Sequence, residues 1–299
     1  MRVVRAALPV VPIRGVRRGA PRWPRISIVT CSYQQARYLE QAMRSVLEQD
    51  YPALEYVVID GGSRDGSREV IRRHAGALAY WVSEPDRGQT DALRKGFRRA
   101  SGAICGWLCS DDLLLPGALR AVAAFFRARP DVAAAYGDAL WIDDSGRFLR
   151  PKREMGFSRF VLLHDHNYVP QPSMFWRREL YEAVGGLDPA FDLAMDADLW
   201  ERFSRHGRIA HIPRYLSCMR FYPEQKTRSR HHDAAREDAL IRGRARRDAG
   251  STLAARARRL AARGLRIAAK AAAGGYGASV PREHLEWLKR CASSPAAGK

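Results

Sequence analysis

Residues 26–67, ISIVTCSYQQARYLEQAMRSVLEQDYPALEYVVIDGGSRDGS, contain the pattern that decides the fold class of this chain. A short run rich in β-branched residues at Arg25–Thr30 predicts a strand, and the helical spacing of Ala36–Gln49 predicts a helix. The apolar run Glu55–Asp60 then predicts a second strand, and Ser67–Arg73 begins another helix. Strands therefore alternate with helices from the start of this region.

The same alternation continues as far as residue 136. Strands that alternate with helices over this length predict an α/β fold, in which a mostly parallel sheet carries helices on both faces. The turn residues of Asp143–Gly146 predict the end of a hairpin. The further predicted elements are the strands Ala79–Val82, Ala103–Leu108 and Val132–Tyr136, and the helices Gln89–Ala100 and Pro116–Arg129.

Positive charge is concentrated at the two ends of the chain. The formal net charge is +19, with seven Arg and no acid in residues 1–25. Residues 226–299 carry eighteen Lys and Arg against six acids, whereas residues 26–225 carry 26 charges of each sign. We therefore predict a basic extension over residues 1–24, a folded domain over 25–225, and a basic, Arg/Ala-rich helical extension over 226–299. A domain that binds nucleic acid normally carries basic residues on its own surface, so the neutral middle argues against nucleic acid as a partner.

The five cysteines are odd in number and scattered, without a CxxC pair. This usage suits a reducing cytosol and argues against a disulfide framework or a structural zinc site. The sequence contains no apolar run near the roughly 18 residues that cross a bilayer. Pro9 and Pro12 interrupt the apolar stretch near the N-terminus, so we predict no signal peptide and a cytoplasmic location.

Ligands of a parallel sheet bind beyond the carboxyl ends of its strands. That rule selects the segments Thr30–Tyr33, Asp60–Asp65, Ser83–Gln89 and Cys109–Asp112, three of which are rich in acid or glycine. Each segment also has a purely structural interpretation: a capped strand–helix turn at Asp60–Ser67, an ordinary polar loop at Ser83–Asp91, or an aspartate pair that caps the next helix.

The aspartate pair Asp111–Asp112 follows an apolar strand directly. Adjacent carboxylates at a buried strand end repel each other, and a bound cation allows both to stay ionised. Magnesium and manganese prefer such oxygen ligands and bridge to diphosphates. The pair therefore indicates a divalent metal site next to a nucleotide diphosphate.

These segments, in this order, resemble glycosyltransferase family 2 of the bacterial surface-polysaccharide type, on a GT-A fold with a mostly parallel nucleotide-binding sheet. The resemblance covers about residues 25–225, and the joint order of the motifs is far more specific than any one of them. It rests on Ser27–Tyr33, Asp60–Ser67, Glu84–Lys95, Ser110–Asp112, Gln171–Ser173, Val184–Asp188 and Ala194–Trp200.

The resemblance implies an inverting, metal-dependent glycosyltransferase. Its donor would be a nucleotide-sugar, expected to be UDP-linked, and its acceptor a hydroxyl of a glycan or lipid-linked molecule in cell-surface polysaccharide or glycolipid synthesis. Asp196 would be the catalytic base, and Asp111 and Asp112 would hold Mn²⁺ or Mg²⁺. The expected nucleotide-sugar-binding residues are Thr30, Ser32, Tyr33, Asp60, Ser63, Asp86, Gly88, Gln89, Asp91, Lys95 and Asp111, and the expected acceptor-side residues are Gln171, Ser173, Asp198 and Trp200.

Three positions depart from the family pattern. Cys109 stands where an Asp or Asn is usual, and because thiolates favour softer metals, the ion would depend on the two aspartates. Met195 stands where many relatives carry an acid before the catalytic aspartate, so a neighbouring like charge is absent from the sequence there. Tyr222 stands where a histidine is frequent. By spacing alone, Asp198 competes with Asp196 for the role of base.

Residues 226–273 have strong helical propensity. Within them, a basic stripe flanks an apolar stripe of Leu253, Leu260 and Ile267, which suits a helix lying on an anionic membrane surface. A helix that packs on the domain with a solvated outer face explains the pattern as well. The membrane interpretation places the protein peripherally at the inner face of the cell membrane. The basic stripe consists of Arg256, Arg259, Arg263, Arg266 and Lys270.

Two other functions have less support. A sugar-nucleotide pyrophosphorylase expects a GxGxRL-type opening after the first strand, which Cys31–Gln34 does not resemble. A basic nucleic-acid-binding protein is suggested by the net charge, but the excess charge lies outside the neutral domain.

Overall fold

The computed structural model describes residues 23–245, 252–277 and 279–293. The predicted N-terminal extension, residues 1–24, falls almost wholly outside these ranges. The strands are β1 (Ile26–Ser32), β2 (Leu54–Asp60), β3 (Tyr80–Ser83), β4 (Ile104–Cys109), β5 (Leu113–Leu114), β6 (Val132–Ile142), β7 (Phe148–Lys152), β8 (Met174–Arg177) and β9 (Arg208–Arg220).

The helices follow the strands in the predicted alternation and then continue alone to the end of the described chain. They are α1 (Ala36–Leu47), α2 (Ser67–His74), α3 (Gln89–Arg99), α4 (Ala118–Ala128), α5 (Arg159–His164), α6 (Arg178–Ala183), α7 (Met195–His206), α8 (Lys226–Ser229), α9 (His231–Ala245), α10 (Thr252–Ala272) and α11 (Arg282–Ser293).

Within the described ranges the strands form one sheet, in the order β3-β2-β1-β4-β8-β6-β9-β5, with β7 paired to β6. The first four strands in this order are parallel, and β9 is parallel to β6. Strand β8 is antiparallel to both of its neighbours, as β5 is to β9 and β7 to β6. The predicted α/β fold and the hairpin at Asp143–Gly146 are confirmed.

Two predicted boundaries differ from the structure for local reasons. The helix predicted from Pro116 begins at Ala118, because Gly117 takes a left-handed conformation (φ +77°) at the residue before it. The strand predicted to end at Tyr136 runs to Ile142, with a register shift between Gly137 and Asp138. Asp138 lies within the strand, and its buried carboxylate is 2.7 Å from His211 Nε2.

Alternate residues of β1 lie in two different cores. Val29 and Cys31 pack with Leu93 of α3 on one face, whereas Ile28 packs with Leu39 of α1 on the other. This period of two is the geometry of a strand that is buried on both faces. The sheet therefore carries helices on both faces, as predicted.

The register of the parallel strands brings their carboxyl ends to one edge. Ser32 of β1 pairs with Asp60 of β2, and Asp60 pairs with Ser83 of β3. On the other side, Cys31 pairs with Cys109 of β4. The segments that follow these strands consequently lie next to one another, which is why the site forms there.

The C-terminal helices lie against the domain. Ile241 of α9, Ala262 of α10 and Leu288 of α11 are buried. Arg266 and Lys270 of α10 form ion pairs with the domain, with Asp165 at 2.5 Å and Glu154 at 3.2 Å. In the part of the chain that the structure describes, no helix combines the length and apolarity of a bilayer-spanning segment.

We expect Gly96→Ala to destabilise the protein. An added Cβ at Gly96 of α3 would lie inside contact distance of the Val29 side chain and 3.3 Å from Ile59 Cγ1. Overpacking of this kind costs about 1–3 kcal/mol, which exceeds the helix-propensity gain of about 0.5–1 kcal/mol from alanine. The measurement is the urea midpoint of unfolding. Gly243→Ala of α9, where a Cβ meets open space, is the control and should be neutral or stabilising; equal midpoints for the two variants would contradict this packing.

Candidate active site

Asp60 orders the glycine turn that follows β2. The residue is fully buried. Its carboxylate accepts hydrogen bonds from the Ser63 backbone N–H at 2.9 Å, the Ser63 hydroxyl at 2.6 Å and the Ser83 hydroxyl at 2.6 Å. Both oxygens are therefore used to shape the turn between β2 and α2 and to join it to the end of β3, and the predicted residues Asp60 and Ser63 lie together.

The side chains of Tyr33 and Asp86 both approach Gly61, and we call the space next to this glycine the recess. Tyr33 is 62% exposed. A Cβ added at Gly61 would lie 2.7 Å from Asp86 Oδ2 and 3.2 Å from Tyr33 Cδ2, so a side chain there would fill the recess. Burial raises the pKa of Asp86. An exposed aromatic face opposite a carboxylate suits a flat, polar ring such as a nucleobase.

Two predicted residues of β1 lie beneath this recess. The Thr30 hydroxyl is 3.0 Å from the Tyr56 hydroxyl in the core. The buried Ser32 hydroxyl has no hydrogen-bond partner among the described residues. Any contact of Thr30 with a ligand would therefore use its backbone, whereas Ser32 has a hydroxyl to offer.

The segment from Glu84 to Lys95 is held together by its own polar groups. Lys95 Nζ lies 3.0 Å from Glu84 Oε1 and 3.7 Å from Asp91 Oδ2. The Gly88 N–H donates to Asp86 Oδ1 at 2.8 Å, and the φ of +107° at Gly88 favours glycine. Lys95 and Asp91 thus fix the loop that presents Asp86 to the recess.

Cys109, Asp111 and Asp112 form a compact cluster beyond β4. One ligand atom of each side chain lies within 4.8 Å of the others. Burial raises the pKa values of both aspartates, and the charge of Asp111 raises that of Asp112 further. A divalent cation would remove this cost, so the two carboxylates fit Mn²⁺ or Mg²⁺.

Cys109 fits a hard cation less well than the aspartates do. The adjacent Cys31 thiol and burial both raise the pKa of Cys109, so its sulfur stays a neutral thiol. Its Sγ lies 3.3 Å from Gln171 Oε1 and 3.4 Å from Gln89 Nε2. The predicted residues Gln89 and Gln171 therefore meet at the thiol, directly beside the aspartate pair.

Arg220 and Tyr222, at and just after the end of β9, hold the aspartate pair in place. The fully buried Arg220 donates through Nε to the Asp111 backbone carbonyl at 2.8 Å, and its backbone N–H donates to Asp112 Oδ1 at 2.9 Å. The Tyr222 hydroxyl donates to Asp111 Oδ2 at 2.9 Å. Tyr222 thus orients a predicted metal ligand.

Asp196 lies in the first turn of α7 and is partly buried. Asn167 Nδ2 donates to its Oδ2 at 2.8 Å, and the Ala197 N–H donates to its Oδ1 at 2.8 Å. Burial, with a smaller contribution from the charge of Asp238, raises the pKa of Asp196 to about 6. A carboxylate with this pKa suits proton abstraction near neutral pH.

Asp198 is engaged elsewhere. Arg202, four residues later, donates to its carboxylate through Nε at 2.9 Å and Nη2 at 2.6 Å. Arg202 also donates to the carbonyls of Val184 and Gly186. Asp198 therefore anchors a structural arginine, an arrangement that favours Asp196 over Asp198 as the base.

Two of the predicted acceptor-side residues lie in the interior. Ser173 is fully buried, with its hydroxyl 2.6 Å from that of Ser217. Trp200 is also fully buried and stacks on Trp107 with ring centroids 5.6 Å apart. Neither side chain is open to an acceptor, so any contribution to the acceptor side is made through packing.

Sequence reasoning did not identify two residues that contact these groups. Asn167 lies in the loop after α5 and has no motif around it. Lys226 donates through Nζ to the Asp192 carboxylate at 2.8 Å and lies 3.5 Å from Gln89 Oε1. Lys226 is the first residue of the predicted basic extension, and nothing in the sequence distinguishes it from an ordinary surface lysine.

Comparison with known proteins agrees with this geometry. The sequence model of the family described as Glycosyl transferase family 2 matches residues 27–185. An uncharacterized glycosyltransferase of Mycobacterium tuberculosis is 29% identical over 188 residues, which cover 58% of this chain and 67% of that protein. The chain therefore spans about two thirds of the length of this relative.

Solved structures share the fold at low sequence identity. TarS of S. aureus in complex with UDP-GlcNAc superposes with a TM-score of 0.57 and 16% identity, over 73% of this chain and 66% of that chain. The mannosyltransferase PcManGT of Pyrobaculum calidifontis, in complex with GDP-Man and Mn²⁺, gives a TM-score of 0.56 and 22% identity, over 90% and 84%. The predicted GT-A fold is thus confirmed.

Proposed function

This chain belongs to glycosyl transferase family 2, and we propose that it transfers a sugar from a UDP-linked donor to an acceptor hydroxyl, with inversion at the anomeric carbon. One arrangement carries the proposal: the recess of Tyr33, Gly61 and Asp86 lies along the same sheet edge as the Asp111–Asp112 pair. The recess suits a nucleobase and the acidic pair suits a cation next to a diphosphate.

Asp196 acts as the general base in this proposal. As the acceptor oxygen attacks the anomeric carbon, its proton passes to the Asp196 carboxylate, and the bond between that carbon and the diphosphate oxygen breaks. The Asn167 amide fixes the orientation of the carboxylate through its 2.8 Å hydrogen bond. Attack from the face opposite the leaving group inverts the anomeric carbon.

Asp111 and Asp112 would hold the divalent ion, which when bound offsets negative charge on the departing nucleoside diphosphate. Tyr222 and Arg220 keep these two carboxylates in place. Cys109 contributes little to a hard ion, because its sulfur remains a neutral thiol.

The proposal is tested by offering the purified protein UDP-, GDP- and dTDP-linked sugars with Mn²⁺ or Mg²⁺ and measuring release of nucleoside diphosphate. We expect release with a UDP-sugar, faster in the presence of a polyprenyl-linked glycan acceptor. Release with GDP-sugars alone would overturn the choice of uridine, and release with none would contradict the donor class. The neighbours' ligands, UDP-GlcNAc and GDP-Man, make both nucleotides necessary in the panel.

The two alternative functions are not favoured. A pyrophosphorylase or a nucleic-acid-binding protein leaves the family match over residues 27–185 unexplained. The described basic residues of the extension are partly used in ion pairs with the domain, as with Arg266 and Lys270.

The acid limb of the rate profile should report Asp196. Because its raised pKa of about 6 means that it holds a proton to higher pH than an ordinary aspartate, the basic form is lost as the pH falls through that value. We expect kcat/KM to fall about tenfold per pH unit below pH 6. Asn167→Ala removes a hydrogen bond that favours the charged form, and should move the limb to higher pH. A profile that stays flat to pH 5 would contradict the assignment.

We also propose that α10 binds the anionic inner face of the cell membrane, where lipid-linked acceptors lie. Leu253, Leu260 and Ile267 recur every seven residues and are 76%, 71% and 44% exposed. Arg256 and Arg263 are exposed beside this apolar line. An apolar stripe flanked by arginines on a solvent-facing surface suits an anionic lipid surface.

The structure divides the predicted basic stripe. Arg266 and Lys270 turn towards the domain, whereas Arg256, Arg259 and Arg263 remain exposed. One face of the helix therefore packs on the domain, and the exposed opposite face supports the membrane proposal.

Co-sedimentation with liposomes tests the membrane proposal. We expect the full chain to bind phosphatidylglycerol vesicles and to dissociate from them at high salt. It should not bind phosphatidylcholine vesicles. A triple change of Leu253, Leu260 and Ile267 to serine should lower binding about tenfold or more, since each buried leucine-sized side chain contributes roughly 1.5–3 kcal/mol. The matched control changes the exposed Ala257, Ala261 and Ala268 to serine. Equal binding by the two triple variants would overturn the proposal.

A further inference from the structure

Glu237 of α9 contacts the turn that begins α7. Its carboxylate accepts hydrogen bonds from three consecutive backbone N–H groups: Asp192 at 3.1 Å, Leu193 at 2.8 Å and Ala194 at 2.8 Å. Ala194, the residue before α7, has no side chain that could cap the helix. An anion at this position satisfies unpaired N–H groups and interacts favourably with the helix dipole.

The same turn is held from a second direction. Lys226 Nζ donates to Asp192 Oδ1 at 2.8 Å, and Arg230 Nη1 to Asp192 Oδ2 at 3.0 Å. Both cations lie in residues 226–299, which the sequence composition assigned to the basic extension. The turn from Asp192 to Ala194 is thus fixed by three charged residues of that segment, two residues before Asp196.

Asp238 follows Glu237 on α9. Its negative charge contributes to the raised pKa of Asp196, and burial raises its own. The charged groups around Asp238 are Arg242, at 3.6 Å on the same helix, His166 in the loop after α5, and Glu237. Nearby, His166 pairs with Asp165, which also pairs with Arg266 of α10.

We propose that α9 is part of the catalytic unit, in which Glu237 is a positioning residue that fixes the turn just before Asp196. The proposal rests on the proposed role of Asp196 as the base. It extends the active site into the basic extension, some forty residues beyond Asp196 in the chain.

Geometry gives the expected size of the Glu237 effect. Loss of the carboxylate frees three N–H groups and lets the first turn of α7 shift, which displaces the base from the acceptor oxygen. A misplacement of about 1 Å at a reacting group costs on the order of 10²-fold in rate. The recess of Tyr33, Gly61 and Asp86 lies on other elements, so the loss should fall mainly on kcat and much less on the donor KM.

The experiment compares Glu237→Ala, Glu237→Gln and Glu286→Ala in the full chain. Glu286 of α11 pairs with Arg282 at the surface and serves as the control. We expect Glu237→Ala to lower kcat roughly 10- to 100-fold, with a much smaller effect on the donor KM. Glu237→Gln, which keeps an oxygen acceptor, should recover part of that loss. Hydrogen exchange of the Asp192–Ala194 amides should be faster in Glu237→Ala than in Glu286→Ala.

If Asp196→Asn is inactive but Glu237→Ala keeps the wild-type kcat and the wild-type rate of amide hydrogen exchange, the positioning role of Glu237 is overturned. Full activity of Asp196→Asn would instead overturn the base assignment itself.

Discussion

Asp196→Asn is expected to lower kcat for sugar transfer by about 10²- to 10⁴-fold, the range that a positioned general base contributes. Asparagine keeps the size of the side chain, and its amide oxygen can still accept the hydrogen bond from Asn167. It cannot accept the proton of the acceptor hydroxyl. The acid limb near pH 6 should disappear with the activity, because the group that titrates there is gone.

The control for this prediction is Asp198→Asn. Asp198 is bound to Arg202 at 2.6 Å, so its loss should affect stability more than chemistry. Donor affinity, measured by calorimetry with a UDP-sugar, should be unchanged in Asp196→Asn. Full transfer by Asp196→Asn would remove Asp196 from the role of base. A larger loss of kcat in Asp198→Asn than in Asp196→Asn would assign that role to Asp198.

Asp111→Asn is expected to lower transfer by about 10²- to 10³-fold, because a bound divalent ion contributes several kcal/mol of charge stabilisation. Asparagine can keep the hydrogen bond from the Tyr222 hydroxyl, so the loop should hold its shape. The affinity for Mn²⁺, followed by electron paramagnetic resonance, should fall in parallel. A chelator should abolish wild-type activity, and added Mn²⁺ should restore it.

Asp131→Asn is the matched change, since Asp131 pairs at the surface with Arg208 and Arg129. Its Mn²⁺ signal and its rate should equal those of the wild type. Transfer that persists in the chelator, together with normal transfer by Asp111→Asn, would show that the reaction does not need the ion.

The fold could be predicted from the sequence because its signals are local. Alternating apolar runs and helical spacing from residue 25 to 136 reflect strands and helices that each bury their own faces. Boundaries were less predictable where a single backbone angle decides them, as at Gly117. The residues of β6 beyond Tyr136 pair with β7 and β9, and no local pattern reports a partner as distant in the chain as β9.

The candidate site also has a part that the sequence predicts and a part that it does not predict. The strand-end segments were identified because the register of parallel strands brings Asp60, Ser83 and Cys109 to one edge. The surroundings of Asp196 could not be identified from the sequence. The sequence indicated that Asp196 lacks a neighbouring acid, because Met195 precedes it, yet the charge of Asp238 on α9 contributes to its raised pKa. Proximity between distant helices cannot be derived from spacing along one of them.

The contacts of Glu237 determine where two enzymes of this architecture can be joined to make a chimera. A chimera joined at residue 225, where the composition changes, would give the catalytic domain a foreign tail and leave the amides of Asp192–Ala194 without their carboxylate. Grafting is better done beyond Ala245, at the end of α9. The segment from Lys226 to Ala245 should therefore be kept together with the catalytic domain in any exchange of this kind.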